Sequence, residues 1–261
     1  MAAGEHLFVS TVISETIPRK LRDDAIVEAL CSVQFQASEP LEVIIGRLTD
    51  VPQWSAFQII RLPVADIPAP LRQADPTWKF QPSFQLRNND GTRLIHVGEN
   101  TFSYHVVGVN NYCGWQTFLS ELKAAFAALF EKLKKPEIRR IGFRYINAIV
   151  PQRHFIYSTH DLNLDIRVGA ENLSGPVNLN YTTINGDNHI TTTRIAHKSF
   201  VQGNLPPDAE VVVDVEVNTP QNYSASSLDV FVAWVSVAHD FEKAAFFRLI
   251  PQSVITKLKE D

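Results

Sequence analysis

Cysteine is scarce in this 261-residue chain: Cys31 and Cys113 are the only two. Two widely spaced cysteines make neither a disulfide framework nor a Cys-x-x-Cys metal knuckle. A chain of this length buries a sizeable core without such staples, and the usage reads as that of a cytoplasmic protein in a reducing compartment. Long runs of one charge sign are missing as well, and the net charge is −4. That balance disfavours a general nucleic-acid binder, which needs a basic footprint on phosphates. The opening MAAGEHLFVSTVISET has no basic leader, and Ser and Thr break its short apolar stretch. Neither a signal peptide nor a membrane span is expected from it. A P-loop, Gly-x-Gly-x-x-Gly, a Gly-x-Ser-x-Gly elbow and a His-x-x-x-His pair on a helix are all absent. The sequence therefore carries no signature of a cofactor, a metal or a catalytic constellation.

What is present is apolar pattern. Hydrophobic residues make up 45% and charged residues 20%, a globular mix, and sixteen phenylalanines point to an interior packed by aromatics. In AIVEALCSVQF, Val27, Ala29, Cys31, Val33 and Phe35 alternate with Glu28, Ser32 and Gln34, which predicts a strand. SEPLEVIIGRL follows, with Ser38 as N-cap, Glu39 at the first helical position and Pro40 in the first turn of a short helix. The proline-rich stretch 51–76 holds one strand, SAFQIIRL, and is otherwise read as irregular connection. WKFQPSFQLRN, TRLIHVG and TFSYHVVG then make a meander, with Asp90-Gly91 as a hairpin turn. Over 114–134, Trp115, Phe118, Leu119, Leu122, Phe126, Leu129, Phe130 and Leu133 recur at helical spacing.

The order then repeats. IRRIGFRYINAIV is a long strand, and STHDLNLDIRVG a short helical or extended segment. VNLNYTTIN and HITTTRIAHKSF form a hairpin, and EVVVDVEVN a strand. A long helix follows over residues 224–250, with Leu228, Phe231, Val232, Val235, Phe241, Ala245 and Leu249 near one side. Pro251 ends it, and QSVITKLK adds a last turn. The chain thus reads as α+β: two tandem modules of strand, short helix, antiparallel meander and long helix. The boundaries are a tail or extra strand over 1–24, a first module over 25–136 and a second over 137–261, packed as one unit. This order resembles the fold of the TATA-binding-protein and Bet v 1 group, an analogy of architecture alone.

Three stretches carry a further resemblance: AIVEALCSVQF, YCGWQTFLSELKAAFAAL and IRRIGFRYINAIV. Together they resemble a sporadically distributed family of uncharacterised prokaryotic proteins of about this length, through its Ile-x-Glu strand, its Tyr-x-Gly-Trp helix start and its Arg-x-Gly-hydrophobic-Arg-Tyr-Ile-Asn strand. Here Asp-Asp-Ala stands where that family has Asn-Pro-Pro. The resemblance brings no reaction with it. It implies an accessory role, in defence or a toxin–antitoxin pair.

The strand 138–150 frames the functional question. Arg139, Ile141, Phe143, Tyr145, Asn147 and Ile149 share one face, which should pack beneath a long helix; Arg140, Gly142, Arg144 and Ile146 share the other. Arg140 and Arg144 suit a clamp for a small anionic ligand or a protein partner. The weightier reading is cross-strand pairing with Asp214 and Glu216. His96 and His105 flank one hairpin, His189 and His197 share one strand, and AHDFEK at 238–243 has the look of a solvated helix face. Cys113 near a helix start has no catalytic surround. The preferred function is a non-enzymatic binding protein that uses the polar sheet face, with a homodimer allowed for. The alternative is a small-molecule binder or enzyme with a cavity between the long helices and the sheet, lined by Trp115, Tyr145, Asn147, Trp234 and His239. The binding residues expected are Arg140, Arg144, Tyr145, Asn147, Trp115 and His239, with no catalytic or metal residues.

Overall fold

A computed structural model describes residues 17–18, 21–36, 39–133, 136–172, 175–221 and 223–259. Most of the expected tail and the expected N-cap Ser38 lie outside these residues. The chain runs β1 (Ile26–Phe35), α1 (Leu41–Thr49), β2 (Gln58–Arg61), α2 (Ala69–Ala74), α3 (Pro76–Lys79), β3 (Phe84–Arg87), β4 (Arg93–Val97), β5 (Thr101–Val107) and α4 (Trp115–Lys132). It continues as β6 (Ile138–Ile149), α5 (Pro151–His154), β7 (Arg167–Val168), β8 (Glu171–Asn172), β9 (Asn178–Asn185), β10 (His189–His197), β11 (Val211–Asn218), α6 (Leu228–Leu249) and α7 (Gln252–Leu258).

The fold is α+β. Among the described residues, nine antiparallel strands form one sheet in the order β2-β3-β4-β5-β1-β6-β11-β10-β9, and β7 with β8 makes a separate small ribbon. β1 and β6 lie side by side at the centre, Ala29 opposite Tyr145 and Cys31 opposite Phe143. Each pairs on its other side with the last strand of the meander that follows it, β1 with β5 and β6 with β11.

Alternation decides which face each strand residue serves. Ala29, Cys31, Val33 and Phe35 of β1 are buried with Ile141, Phe143 and Tyr145 of β6 beneath α4 and α6. Phe118, Leu122, Phe126 and Leu129 of α4 meet that surface, and Phe126 stacks on Phe231 of α6 with ring centroids 4.1 Å apart. A second cluster joins Val211, Val213 and Val215 of β11 to Phe246 and Leu249 of α6 and to Val254, Ile255 and Leu258 of α7. The opposite face carries Glu28, Ser32 and Gln34. At one end of it, Leu205 and Ala209 pack on Val27, Ala148 and Val150.

Several sequence expectations shift by local chemistry. α1 starts at Leu41 with Pro40 as its N-cap, two residues later than Glu39. The stretch 51–76 is more helical than its proline content suggested. Pro52, Pro63 and Pro76 open short helical turns, and α2 has Pro70 within its first two positions. A proline there gives up an N–H that has no intrahelical partner anyway. Trp78 and Lys79 accordingly belong to α3, and β3 begins only at Phe84. Gly91 takes φ 69°, the left-handed conformation that the β3–β4 turn requires. α6 starts at Leu228, with the Ser227 hydroxyl accepting from the Val230 N–H at 3.3 Å.

Candidate functional site

The N-terminal stretch of β1, the helix side of β6, the start of α4, the middle of α6 and the end of α7 surround a cavity of about 520 Å³. Tyr145 and Asn147 reach it because they alternate onto the helix side of β6. Tyr112 and Trp115 arrive from the β5–α4 connection. Gly114 sits there at φ 92°, and its freedom to adopt that angle turns the chain so that both aromatics face β6. His239, Glu242 and Phe246 fall at three- and four-residue steps along α6, hence on one face.

The wall is aromatic and tightly ordered. The Trp115 indole stacks on the His239 imidazole, and Phe143 meets Trp115 edge-on with centroids 5.8 Å apart. The Tyr112 and Tyr145 hydroxyls are 2.8 Å apart and share a hydrogen bond. Asn147 Nδ2 donates to the Val213 carbonyl at 3.2 Å. Among the described residues, no protein group accepts from or donates to the other end of the Asn147 amide or to the Glu242 carboxyl. His239 Nδ1 is buried without a hydrogen bond; Asp240 Oδ1 lies 3.4 Å away but fails the geometry of one.

Burial sets the protonation states. Glu242 is 2% exposed, and desolvation drives its pKa well above the ordinary carboxyl value, against the opposing pull of Lys243. Desolvation lowers His239 to about 4, with Asp240 raising it and Lys243 lowering it. The same cause raises both tyrosines, Tyr145 further than Tyr112. Burial therefore disfavours charge on the Glu242 carboxyl, the His239 imidazole and both phenols of the cavity floor. Asp24, Lys243 and Lys259 also line it.

Four of the six residues singled out from sequence, Trp115, Tyr145, Asn147 and His239, come together here. Arg140 and Arg144 lie on the opposite face. Arg144 donates to both oxygens of Asp214, Nε at 2.7 Å and Nη2 at 2.6 Å. Arg140 donates to Asn218 Oδ1 at 2.6 Å and lies 3.7 Å from Glu216. Both arginines therefore have cross-strand partners, as the register of β6 with β11 dictates. A second depression, of about 600 Å³, on this face is bordered by Glu28, Arg144, Arg194 and Asp214 and by residues 201–205.

Trp234, expected in the cavity, stacks instead on His189 with centroids 4.9 Å apart and donates to the Asn188 carbonyl at 2.9 Å. The 238–243 stretch is only half solvated: Asp240 is exposed, whereas His239 and Glu242 are buried. Sequence reasoning missed Glu242 and Tyr112. The signal for Glu242 was available, since it follows Val235 by seven residues and Ala238 by four and so continues the buried stripe. The His96 and His105 rings do meet, with centroids 4.5 Å apart.

No family model matches the chain, and no curated protein matches its sequence. Among the described residues, no group of three or more His, Cys, Asp or Glu side chains is placed to hold a metal ion, and no helix is long and apolar enough to cross a membrane.

Proposed function

We propose that this protein binds a small molecule in the cavity between α4, α6 and the centre of the sheet. The ligand has an apolar body and a polar head bearing N–H groups. Glu242 carries this reading: a carboxyl 2% exposed, at the edge of a cavity, with no hydrogen-bond partner among the described residues. An unpartnered buried polar group costs about 1–3 kcal/mol, and natural interiors satisfy nearly all such groups. The uncapped Nδ1 of His239 lies one turn away on the same helix. A ligand head would supply the missing partners, while Trp115, Tyr112 and Phe246 give it an aromatic surround suited to an amine.

The polar sheet face has less in its favour as the binding surface. Arg144 already holds Asp214 at both oxygens, so an incoming anion would have to displace a formed bidentate pair.

The reading is tested by thermal shift with matched probes sharing a phenylalkyl body: a primary amine, an alcohol and a carboxylate. The amine should stabilise the protein at millimolar concentration, the alcohol less, and the carboxylate not at all. Glu242→Gln should weaken the amine response about tenfold or more. Equal shifts with all three, or none in the wild type, would remove the proposal.

A further inference from the structure

Ser103, His105 and Glu28 form a hydrogen-bonded chain on the sheet face turned away from α4 and α6. Ser103 and His105 are two residues apart on β5, so their side chains rise on the same side. Glu28 comes from β1, one step along from Leu30, the residue opposite His105. Ser103 Oγ lies 2.7 Å from His105 Nε2, and His105 Nδ1 lies 2.7 Å from Glu28 Oε1. Burial alone would raise the Glu28 pKa. The hydrogen bond from His105 and the charges of His105, Arg144 and His96 outweigh it and hold the carboxyl below its ordinary value. With Glu28 Oε1 accepting at 2.7 Å, a single imidazole proton on His105 would sit on Nδ1. Nε2 is then left as an acceptor for the Ser103 hydroxyl.

We propose that Ser103 is a nucleophile, activated by His105 and oriented through Glu28, that takes the acyl group of small carboxylic esters. In the first step Oγ attacks the ester carbonyl carbon while Nε2 accepts the hydroxyl proton. The adduct collapses by breaking the bond to the alcohol oxygen, which leaves with the proton from Nε2. Water then attacks the acyl-serine, giving its proton to Nε2, and the carboxylic acid departs as that proton returns to Oγ.

The surroundings set the substrate size. Across the strands Ser103 faces Ser32 on β1, and Ser32 faces Gly142 on β6, so the floor on that side is built of small residues, while His96 of β4, packed on His105, walls the other side. A Cβ added at Gly142 would sit 2.9 Å from both Ser32 Oγ and Asn218 Oδ1, so that floor has no room for a larger side chain. Ser103 is 8% and His105 7% exposed, which favours acetyl-sized acyl groups over bulky ones. The N–H groups of paired strands lie in the plane of the ladder, so stabilising the oxyanion falls to side chains. His96, opposite Ser103 on β4, and Ser32, opposite it on β1, are the nearest side-chain donors by register, with Gln34 diagonal to Ser103. Without a preformed pair of backbone donors both steps are slow, and deacylation is the slower because the buried acyl-serine is shielded from water.

The test uses the intact protein with diisopropyl fluorophosphate and with 4-nitrophenyl acetate. The expected results are one phosphoryl adduct, mapped to Ser103 by peptide mass spectrometry, and a burst of about one equivalent of 4-nitrophenolate. The labelling rate should rise with pH along an imidazole titration. Ser103→Ala should abolish the adduct in a protein that still folds cooperatively, its melting temperature lowered only by the loss of one buried hydrogen bond. Glu28→Gln should slow it at least tenfold, and Tyr157→Phe, at an exposed position outside both sites, should leave it unchanged. A folded wild type that stays unlabelled at Ser103, or one labelled equally fast as His105→Gln, overturns the proposal. In either case the three residues are a hydrogen-bonded support for the polar face and nothing more.

Discussion

The Trp115 indole and the His239 imidazole lie face to face, with ring centroids 4.0 Å apart and planes 9° apart. They lie on α4 and α6, more than a hundred positions apart in sequence, and this contact closes the cavity wall over the Phe143 edge. Trp115 contributes to the burial that keeps His239 neutral. Trp115→Ala should let the His239 pKa climb from about 4 toward the ordinary 6.5. A histidine ring titration followed by NMR measures this directly. A value that stays near 4 would mean that the indole contributes nothing to the desolvation.

Acid should destabilise the protein earlier than carboxylate titration alone would. His96, His154 and His239 are each lowered to about 4 by desolvation, against an ordinary 6.5. Between those values the unfolded chain binds more protons than the folded one, so stability falls as pH drops from 6.5 to 4. Each group contributes about 1.4 kcal/mol per pH unit in that window. Urea midpoints measured from pH 7 to pH 4.5 should decline steeply, and His154→Gln should make the slope shallower by about one proton.

Glu242 acts with the opposite sign. Its folded pKa is raised, so its contribution is intact below the ordinary value of 4.5 and is lost as pH rises toward the folded value. Replacing the unpartnered acid by Leu removes a desolvated polar group at similar volume. Glu242→Leu should therefore stabilise the ligand-free protein by about 1–3 kcal/mol at pH 8 while abolishing the amine-induced thermal shift. A destabilised variant would show that the carboxyl has a partner in solution.

Arg140 and Arg144 of β6 should differ sharply. Arg144 is 35% and Asp214 13% exposed, and their bond is bidentate. Arg144→Ala leaves a largely buried carboxylate unpaired and should cost about 3 kcal/mol. Lysine should not rescue it, because an ammonium cannot match the fork. Arg140, with Glu216 at 3.7 Å and more solvent around it, should cost under about 1 kcal/mol. Denaturant midpoints for the single variants, and for the Arg144→Ala/Asp214→Ala cycle, decide between these magnitudes.

The tyrosine pair offers a test of hydrogen-bond asymmetry. Tyr112→Phe strands the buried Tyr145 hydroxyl and should cost about 1–2 kcal/mol, whereas the double change to Phe should cost less than the sum of the singles. Additive losses would indicate that the two hydroxyls do not bond each other.

Legibility followed periodicity. From Arg140 to Asn147 the faces of β6 are readable from alternation, Tyr145 and Asn147 turning toward the helices and Arg140 and Arg144 away; at Arg139, expected beneath a helix, an irregularity in the pairing with β1 breaks the phase and leaves Arg139 exposed and Ile138 buried. β11 with Asp214 and Glu216 is likewise readable as the arginines' partner strand, because four valines on one face leave the two acids on the other. The start of α1 and the proline turns were less so, since a proline ends one kind of backbone and opens another. Glu242 went unread because a lone carboxylate amid Asp240 and Lys243 resembles solvated surface. Only the phase of the helix, set by Phe231 through Leu249, turns it inward.

Most of the long strands and helices, and the side of the sheet their residues take, were legible in the chain, because alternation and the 3.6-residue turn are local properties of the backbone. Only the tertiary structure decided that Tyr112, Trp115, Tyr145, Asn147, His239 and Glu242 line one cavity, and that Ser103, His105 and Glu28 form one hydrogen-bonded chain. Those meetings depend on β1 pairing with both β5 and β6 and on how α4 and α6 settle over them. That packing is fixed by the shape of the whole core, and no single stretch of the chain encodes it.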